Sequence, residues 1–279
     1  MASGNVKPVR IIEGQRTKLT RVAHGIAYDA KHDVIIGTEP LAASIVFFRG
    51  GTAGNTPPIR VIQGPHTLLH SPYEPSVDLV NNELWIADLE AKALYVFPLD
   101  GNGDIPPLRI IKGPKAVLGT VSGVAVDPAH NLVVATGYSQ NYRPGIFIFD
   151  RTANGDVAPK RIISGPSTGI ISVWHVQVAD SKIFAVASNF YYIPSYDPGG
   201  YKPRGNCDGP MLPFIGPLGF VGVWNESDSG DVPPHAIILG PASELLHPVG
   251  IAVDAKHGQV FASDSVRNSV FSYLVPGFF

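Results

Sequence analysis

Lys7-Pro-Val-Arg-Ile-Ile-Glu-Gly14 returns as Pro57-Pro-Ile-Arg-Val-Ile-Gln-Gly64, as Pro106-Pro-Leu-Arg-Ile-Ile-Lys-Gly113 and as Ala158-Pro-Lys-Arg-Ile-Ile-Ser-Gly165. A degraded copy, Pro233-Pro-His-Ala-Ile-Ile-Leu-Gly240, completes the series. The closing glycines lie 50, 49, 52 and 75 residues apart, so the chain holds five units, the fourth with an insertion of about 25 residues.

Each unit reads as four short strands. In the first they cover residues 25–29, 34–38, 44–48 and 59–62, and in the second 76–80, 84–88, 93–98 and 108–111. The runs are β-branched or aromatic and are bounded by Gly, Pro, Asn and Asp. No segment keeps a 3.6-residue period long enough for a helix. Gly101-Asn-Gly-Asp104, Ala153-Asn-Gly-Asp156 and Gly230-Asp231 fall between the third and fourth runs, where a tight hairpin needs positive φ. Asp100-Gly-Asn-Gly-Asp104 therefore reads as a turn and not as a calcium loop, since it lacks the distal glutamate. Four antiparallel strands repeated about every 50 residues is the pattern of a β-propeller. A linear stack would need polar caps, and none is visible. The chain starts with a fourth-type strand at 9–12 and ends with a third-type strand at 269–274. These are expected to share a blade, which removes the open edge. The predicted fold is all-β: one domain, residues 1–279, a five-bladed β-propeller of four-stranded antiparallel blades, closed by the N-terminal strand joining the last blade. Arg10, Arg60, Arg109 and Arg161 recur once per unit and are expected to pair locally as scaffold.

The 279 residues are 44% hydrophobic, enough for a large core. Twenty-one basic and 23 acidic side chains give a net charge of −2 with no basic block, so no nucleic-acid partner is expected. No apolar run approaches the roughly 18 residues of a membrane span. The single cysteine, Cys207, excludes an intrachain disulfide and supports no cysteine zinc site. Ser3-Gly-Asn-Val-Lys-Pro8 already aligns with Ala53-Gly-Asn-Thr-Pro-Pro58, leaving no leader, so a cytoplasmic location is expected.

His247-Pro-Val-Gly-Ile-Ala-Val-Asp254, Gln259-Val-Phe-Ala-Ser-Asp264 and Asn268-Ser-Val-Phe-Ser-Tyr273 together resemble an NHL repeat. Val121-Ser-Gly-Val-Ala-Val-Asp127 and Leu84-Trp-Ile-Ala-Asp88 are similar. The resemblance covers almost the whole chain. It implies a propeller but no single activity, because such propellers host lyases, lactonases and binding modules.

Aligning the units at the start of the first strand, which lines the central channel, gathers candidate site residues at one rim, called upper here. His24, Glu74, His175 and His247 are expected there as hydrogen-bond donors or general acid–base groups. Tyr73, Trp174, Tyr138, Asp88 and Asp264 are expected beside them as substrate contacts, although Asp88 and Asp264 also suit turn stabilisation. The same histidines are compatible with ordinary polar strand ends. The insertion, about 190–220, carries Phe190, Tyr191, Tyr192 and Tyr196 and reads as an aromatic lid over a mostly apolar ligand.

No Gly-x-Ser-x-Gly elbow, phosphate loop or dinucleotide fingerprint is present. The expected function is binding of an apolar small molecule in the upper cavity and its metal-free cyclisation or cycloaddition. At the level of fold this is similar to the propellers of fungal specialised metabolism that catalyse hetero-Diels–Alder reactions. One alternative is a metal-dependent lactonase or lyase, with zinc or another divalent metal on His24, His175 and His247. The other is a non-catalytic ligand- or protein-binding propeller. No cofactor is favoured.

Overall fold

The computed structural model describes residues 4, 6–188 and 219–279. Nineteen strands form five antiparallel sheets, the blades of the propeller. Blade 1 holds β1 (Ile26–Asp29), β2 (Val34–Glu39), β3 (Ser44–Arg49) and β4 (Arg60–Ile62). Blade 2 holds β5 (Pro72–Asp78), β6 (Glu83–Asp88), β7 (Ala93–Pro98) and β8 (Arg109–Ile111). Blade 3 holds β9 (Leu118–Asp127), β10 (Leu132–Ser139), β11 (Pro144–Asp150) and β12 (Arg161–Ile163). Blade 4 holds β13 (Ser172–Ala179), β14 (Lys182–Ser188), β15 (Gly219–Asn225) and β16 (Ala236–Ile238). Blade 5 holds β17 (Pro248–Asp254), β18 (Gln259–Asp264) and β19 (Ser269–Leu274). The only helical pieces among the described residues are three-residue 3-10 turns.

The octapeptide repeat is the device that joins one blade to the next. Its second isoleucine forms a parallel bridge to the turn glycine of the following blade: Ile12 to Gly54, Ile62 to Gly103, Ile111 to Gly155 and Ile163 to Gly230. Its arginine also reaches across. Arg60 donates to the carbonyls of Leu99 and Gly101, Arg109 to Arg151 O and Arg161 to Glu226 O. Arg60 and Arg161 thus reach the next blade, whereas Arg109 also pairs locally, as the repeat suggested, in a bidentate bridge to Glu83 of its own blade at 2.8 Å. Its closing glycine adopts positive φ and receives an Asn or Asp from the next turn. The carboxylates of Asp104, Asp156 and Asp231 then accept the amides of His66, Lys115 and Ser167 at 2.6–2.7 Å. A Cβ on Gly113, at φ +135°, would stand 2.4 Å from Asp156 Oδ1. Gly113→Ala is therefore expected to cost at least about 2 kcal/mol, read as a lower urea midpoint. An unchanged midpoint would refute the latch.

Four apolar seams lie between successive blades. Trp85, Phe147 and Phe149 belong to the seam of blades 2 and 3, and Trp224 and Phe220 to that of blades 3 and 4. Phe47 and Phe97 fill the seam of blades 1 and 2, and Phe184 that of blades 4 and 5. Among the described residues no buried cluster joins blade 5 to blade 1. Ile26, Val270 and Leu274 are more than 70% exposed on its two sides. The expected closure is met on one side only. Residues 11–13 bond to Gly54 just as the other fourth strands bond to the following blade. The ladder from 9–12 to β19 is not formed, and the last sheet has three strands.

Candidate functional site

Four of the five inner strands carry a β-bulge near the upper rim; in blade 3 the register passes from Gly123–Thr136 to Val121–Gly137, which sets Ser122 apart. In blade 2 the register passes from Pro72–Asp88 to Pro75–Ile86, so Tyr73 and Glu74 face one residue of β6. In blade 4 it passes from Val173–Ala187 to Val176–Ala185, which displaces Trp174 and His175 in the same way. In blade 5 the irregularity lies between Pro248 and Gly250, just after His247. A bulge re-aims a side chain that a regular pleat would send into the blade. That is why these residues depart from the repeat's own consensus.

Threonines pin the bulges from the preceding blade. Thr38 Oγ1 accepts the Gly25 amide at 2.8 Å and donates to Tyr73 O, while Thr136 Oγ1 donates to Trp174 O. Ser122 Oγ donates to Val173 O at 3.0 Å. Gly25 and Gly123 make this approach possible, since a Cβ on either would lie within 2.5 Å of Tyr73 O or Trp174 O.

The predicted rings do come together. His24 lies on Tyr73 at 3.8 Å between centroids and 5.3 Å from His175. Trp174 is 6.5 Å from His24, and its indole meets His247 edge to face at 5.8 Å. His247 Nδ1 lies 2.7 Å from Ser265 Oγ. Tyr138 donates to Ile171 O at 3.2 Å and, with Tyr73, Trp174, Thr120 and Ser122, lines a cavity of about 30 Å³. That space holds about two waters, or the polar end of a ligand, and not a whole substrate.

Three buried polar atoms at this rim have no partner among the described residues: His24 Nδ1, Trp174 Nε1 and His175 Nε2. An unsatisfied buried polar group costs about 1–3 kcal/mol. Burial lowers the His24 imidazole to about 4. Burial, then the neighbouring His24, lowers His175 to about 3. Both rings are therefore neutral at pH 7. Burial also lowers His247.

Glu74, expected at the opening as an acid–base group, has a different task. Its Oε2 accepts the amides of Val124 at 2.9 Å and Val176 at 3.1 Å, tying blade 2 to the inner strands of blades 3 and 4. Its Oε1 stands 3.7 Å from His175 Nδ1. Burial pushes this carboxyl well above the usual range, against the two amide bonds that favour the anion.

Asp88 and Asp264 are buried and engaged. Asp88 accepts the amides of His70, Ser71 and Ala91, and Asp264 those of Leu246, His247, Val266 and Arg267. This fits turn stabilisation, not contact with substrate. The three imidazoles proposed as alternative metal ligands do not gather. Among the described residues one group brings three ligand atoms within 4.8 Å of one another, and it is Asp127, His130 and Glu226, away from this rim. Phe190, Tyr191, Tyr192 and Tyr196 lie outside the described residues. The expected insertion ends earlier than position 220, because Gly219 and Phe220 already belong to β15. Sequence reasoning missed Thr38, Thr136 and Ser122. The signal available was a threonine at the end of the second strand in units 1 and 3.

No family model matches this chain, and no curated protein matches it. Among solved structures 583 chains match, so the architecture alone cannot select a function. One belongs to a structure titled as a nidogen/laminin complex, with 15% identity and a TM-score of 0.55 over 90% of this chain and 80% of the other. That likeness concerns the propeller fold alone. Among the described residues no helix is long and apolar enough to cross a membrane.

Proposed function

We propose that the upper opening binds an apolar small molecule through a carbonyl or comparable neutral polar group, and that it promotes cyclisation of the hetero-Diels–Alder type. The observation that carries this reading is the trio of unpartnered buried atoms, His24 Nδ1, Trp174 Nε1 and His175 Nε2, at one aromatic-walled rim. Each neutral imidazole offers one N–H and one lone pair, and the indole offers one N–H. The three groups add no positive charge, which favours a neutral ligand over a carboxylate or phosphate.

In such a cycloaddition an enone and an alkene form two σ bonds at the expense of π bonds. No proton, electron or leaving group is exchanged, so no nucleophile is needed. A hydrogen bond to the enone oxygen strengthens as electron density moves onto it, and the aromatic walls hold the reactants in a near-attack geometry. The chain's part is to orient, to polarise and to exclude water.

The test uses trans-chalcone as the enone probe and ethyl vinyl ether as its partner, with the dihydropyran analysed by chiral chromatography. The expected result is quenching of tryptophan fluorescence on chalcone binding and one enantiomer in excess. Binding with racemic product at the background rate would remove the cyclase step and leave a non-catalytic binding propeller. Absence of binding would remove the site.

A further inference from the structure

At the lower rim each outer hairpin begins with a residue whose amide bonds the inner turn of its own blade. Gly50 donates to Asp33 O, Leu99 to Asn82 O, Arg151 to Asn131 O, Glu226 to Ser181 O and Val275 to Gly258 O. These five positions are structurally equivalent. Two of them meet the blade before through charged side chains. Between blades 2 and 3 the meeting is one of opposite charges: Arg151 Nη1 stands 3.7 Å from Asp78 Oδ2 and 2.9 Å from Glu83 Oε2. Between blades 3 and 4 the guanidinium is replaced by the carboxylate of Glu226, which meets Asp127 and His130.

Among the described residues neither Asp127 nor Glu226 is ion-paired to a lysine or arginine side chain. His130 alone pairs with both, its Nδ1 lying 2.7 Å from Asp127 Oδ2 and 3.3 Å from Glu226 Oε2. Arg161, the nearest candidate, spends its Nε on the Glu226 carbonyl at 2.6 Å. Glu226 is 5% exposed, and its Oε1 is buried with no partner among the described residues. A buried glutamate set against a partly buried aspartate, with one oxygen left unsatisfied, is an arrangement that a bound cation stabilises.

We infer that Asp127, His130 and Glu226 form a binding site for a divalent first-row transition-metal ion such as Zn²⁺, at the lower seam between blades 3 and 4. All three ligand atoms lie within 4.8 Å of one another. Ligands of one tetrahedral zinc stand roughly 3.3 Å apart, so modest adjustment suffices. Asp127 Oδ1 accepts the amides of Ala129 and His130, which fixes the carboxylate and leaves Oδ2 directed at the cluster. Glu226 is held through its own amide and carbonyl. The His130 side chain is half exposed, which provides an entry path and leaves room for water to complete the coordination. One nitrogen and two oxygens suit zinc or manganese better than calcium, which prefers oxygen alone. The Asp-x-x-His turn by itself is not the signal, since blades 1 and 5 repeat it at Asp29–His32 and Asp254–His257. Glu226 distinguishes the third.

The experiment is isothermal titration of the full chain with ZnCl₂, paired with thermal melts with and without the metal. The expected result is one Zn²⁺ per chain and a rise in melting temperature. Glu226→Gln is expected to weaken binding by about 30-fold or more and to abolish the thermal shift. Its metal-free melting temperature should be no lower than that of the unmodified chain. His130→Asn is a second probe that the fold accepts, because Asn81 fills the equivalent turn in blade 2 with its Nδ2 2.8 Å from Asp78 Oδ2. It too should lose the metal. A variant with phenylalanine at both His24 and His175 should bind Zn²⁺ as the unmodified chain does. No stoichiometric uptake by the unmodified chain, or uptake unchanged in Glu226→Gln, would overturn the assignment.

Discussion

Glu74→Ala is expected to destabilise the propeller by about 4 kcal/mol, while Glu74→Gln leaves it folded and, at pH values up to about 4.5, close to its normal stability. The alanine removes the acceptor of two buried amides, Val124 and Val176, on two different blades. Each orphaned amide costs about 1–3 kcal/mol, and the vacated volume adds to this. Glutamine keeps both the shape and the acceptor. Its effect should depend on pH, with a sign fixed by the direction of the Glu74 shift. The folded chain holds a proton on Glu74 that the unfolded chain releases above about 4.5. The wild-type contribution is therefore complete below that value and is lost as pH rises towards the folded-state pKa. Glutamine does not titrate. The advantage of Glu74→Gln should thus grow by about 1.4 kcal/mol per pH unit above 4.5 until Glu74 ionises in the folded state. Denaturant melts at a series of pH values measure this. A flat difference between the two proteins would show that Glu74 is an ordinary carboxylate.

His24→Phe and His175→Phe are expected to lower turnover of the chalcone probe by about 100-fold and its binding by at least about 10-fold. Neither should lose stability. Phenylalanine preserves a flat ring on Tyr73 or beside Glu74 but removes nitrogens that lack partners at His24 Nδ1 and His175 Nε2. Exchanging an unsatisfied polar atom for an apolar one of similar shape is neutral or stabilising. Function and stability should therefore move in opposite directions, as they do where a site keeps groups that the fold does not need. A fall in melting temperature with unchanged binding would instead make these histidines part of the scaffold.

The octapeptide repeat made the blades legible because its Ile, Arg and Gly are themselves the joints between blades. What it could not convey was the partner of each joint. Arg60, Arg109 and Arg161 looked local in sequence and reach 39 to 65 residues ahead in the structure. The upper rim was legible through residues that break the repeat, such as Tyr73-Glu74 and Trp174-His175. The bulges that turn them inward were not, because an extra residue looks the same as a strand that starts late. β5 accordingly begins at Pro72, and not at residue 76 as its regular alternation suggested. Glu74 was misjudged for a related reason: a glutamate beside a histidine reads as an acid–base pair until the amides of two other blades are seen to hold it. The closing strand failed by pattern too. Residues 9–12 match the fourth-strand consensus, but that consensus encodes the bond to the next blade, which Ile12 makes with Gly54. It does not encode the ladder to the strand before.

The proposed site depends on two imidazoles kept dry and uncharged at one rim. Histidine titration followed by two-dimensional NMR on the full chain reads this directly, without any substrate. His24 should change protonation at about 4 and His175 at about 3, while His130, beside Asp127, titrates above the usual imidazole range. If His24 and His175 instead titrate together near 6.5, both rings are hydrated, and the neutral hydrogen-bonding opening proposed for this propeller does not exist.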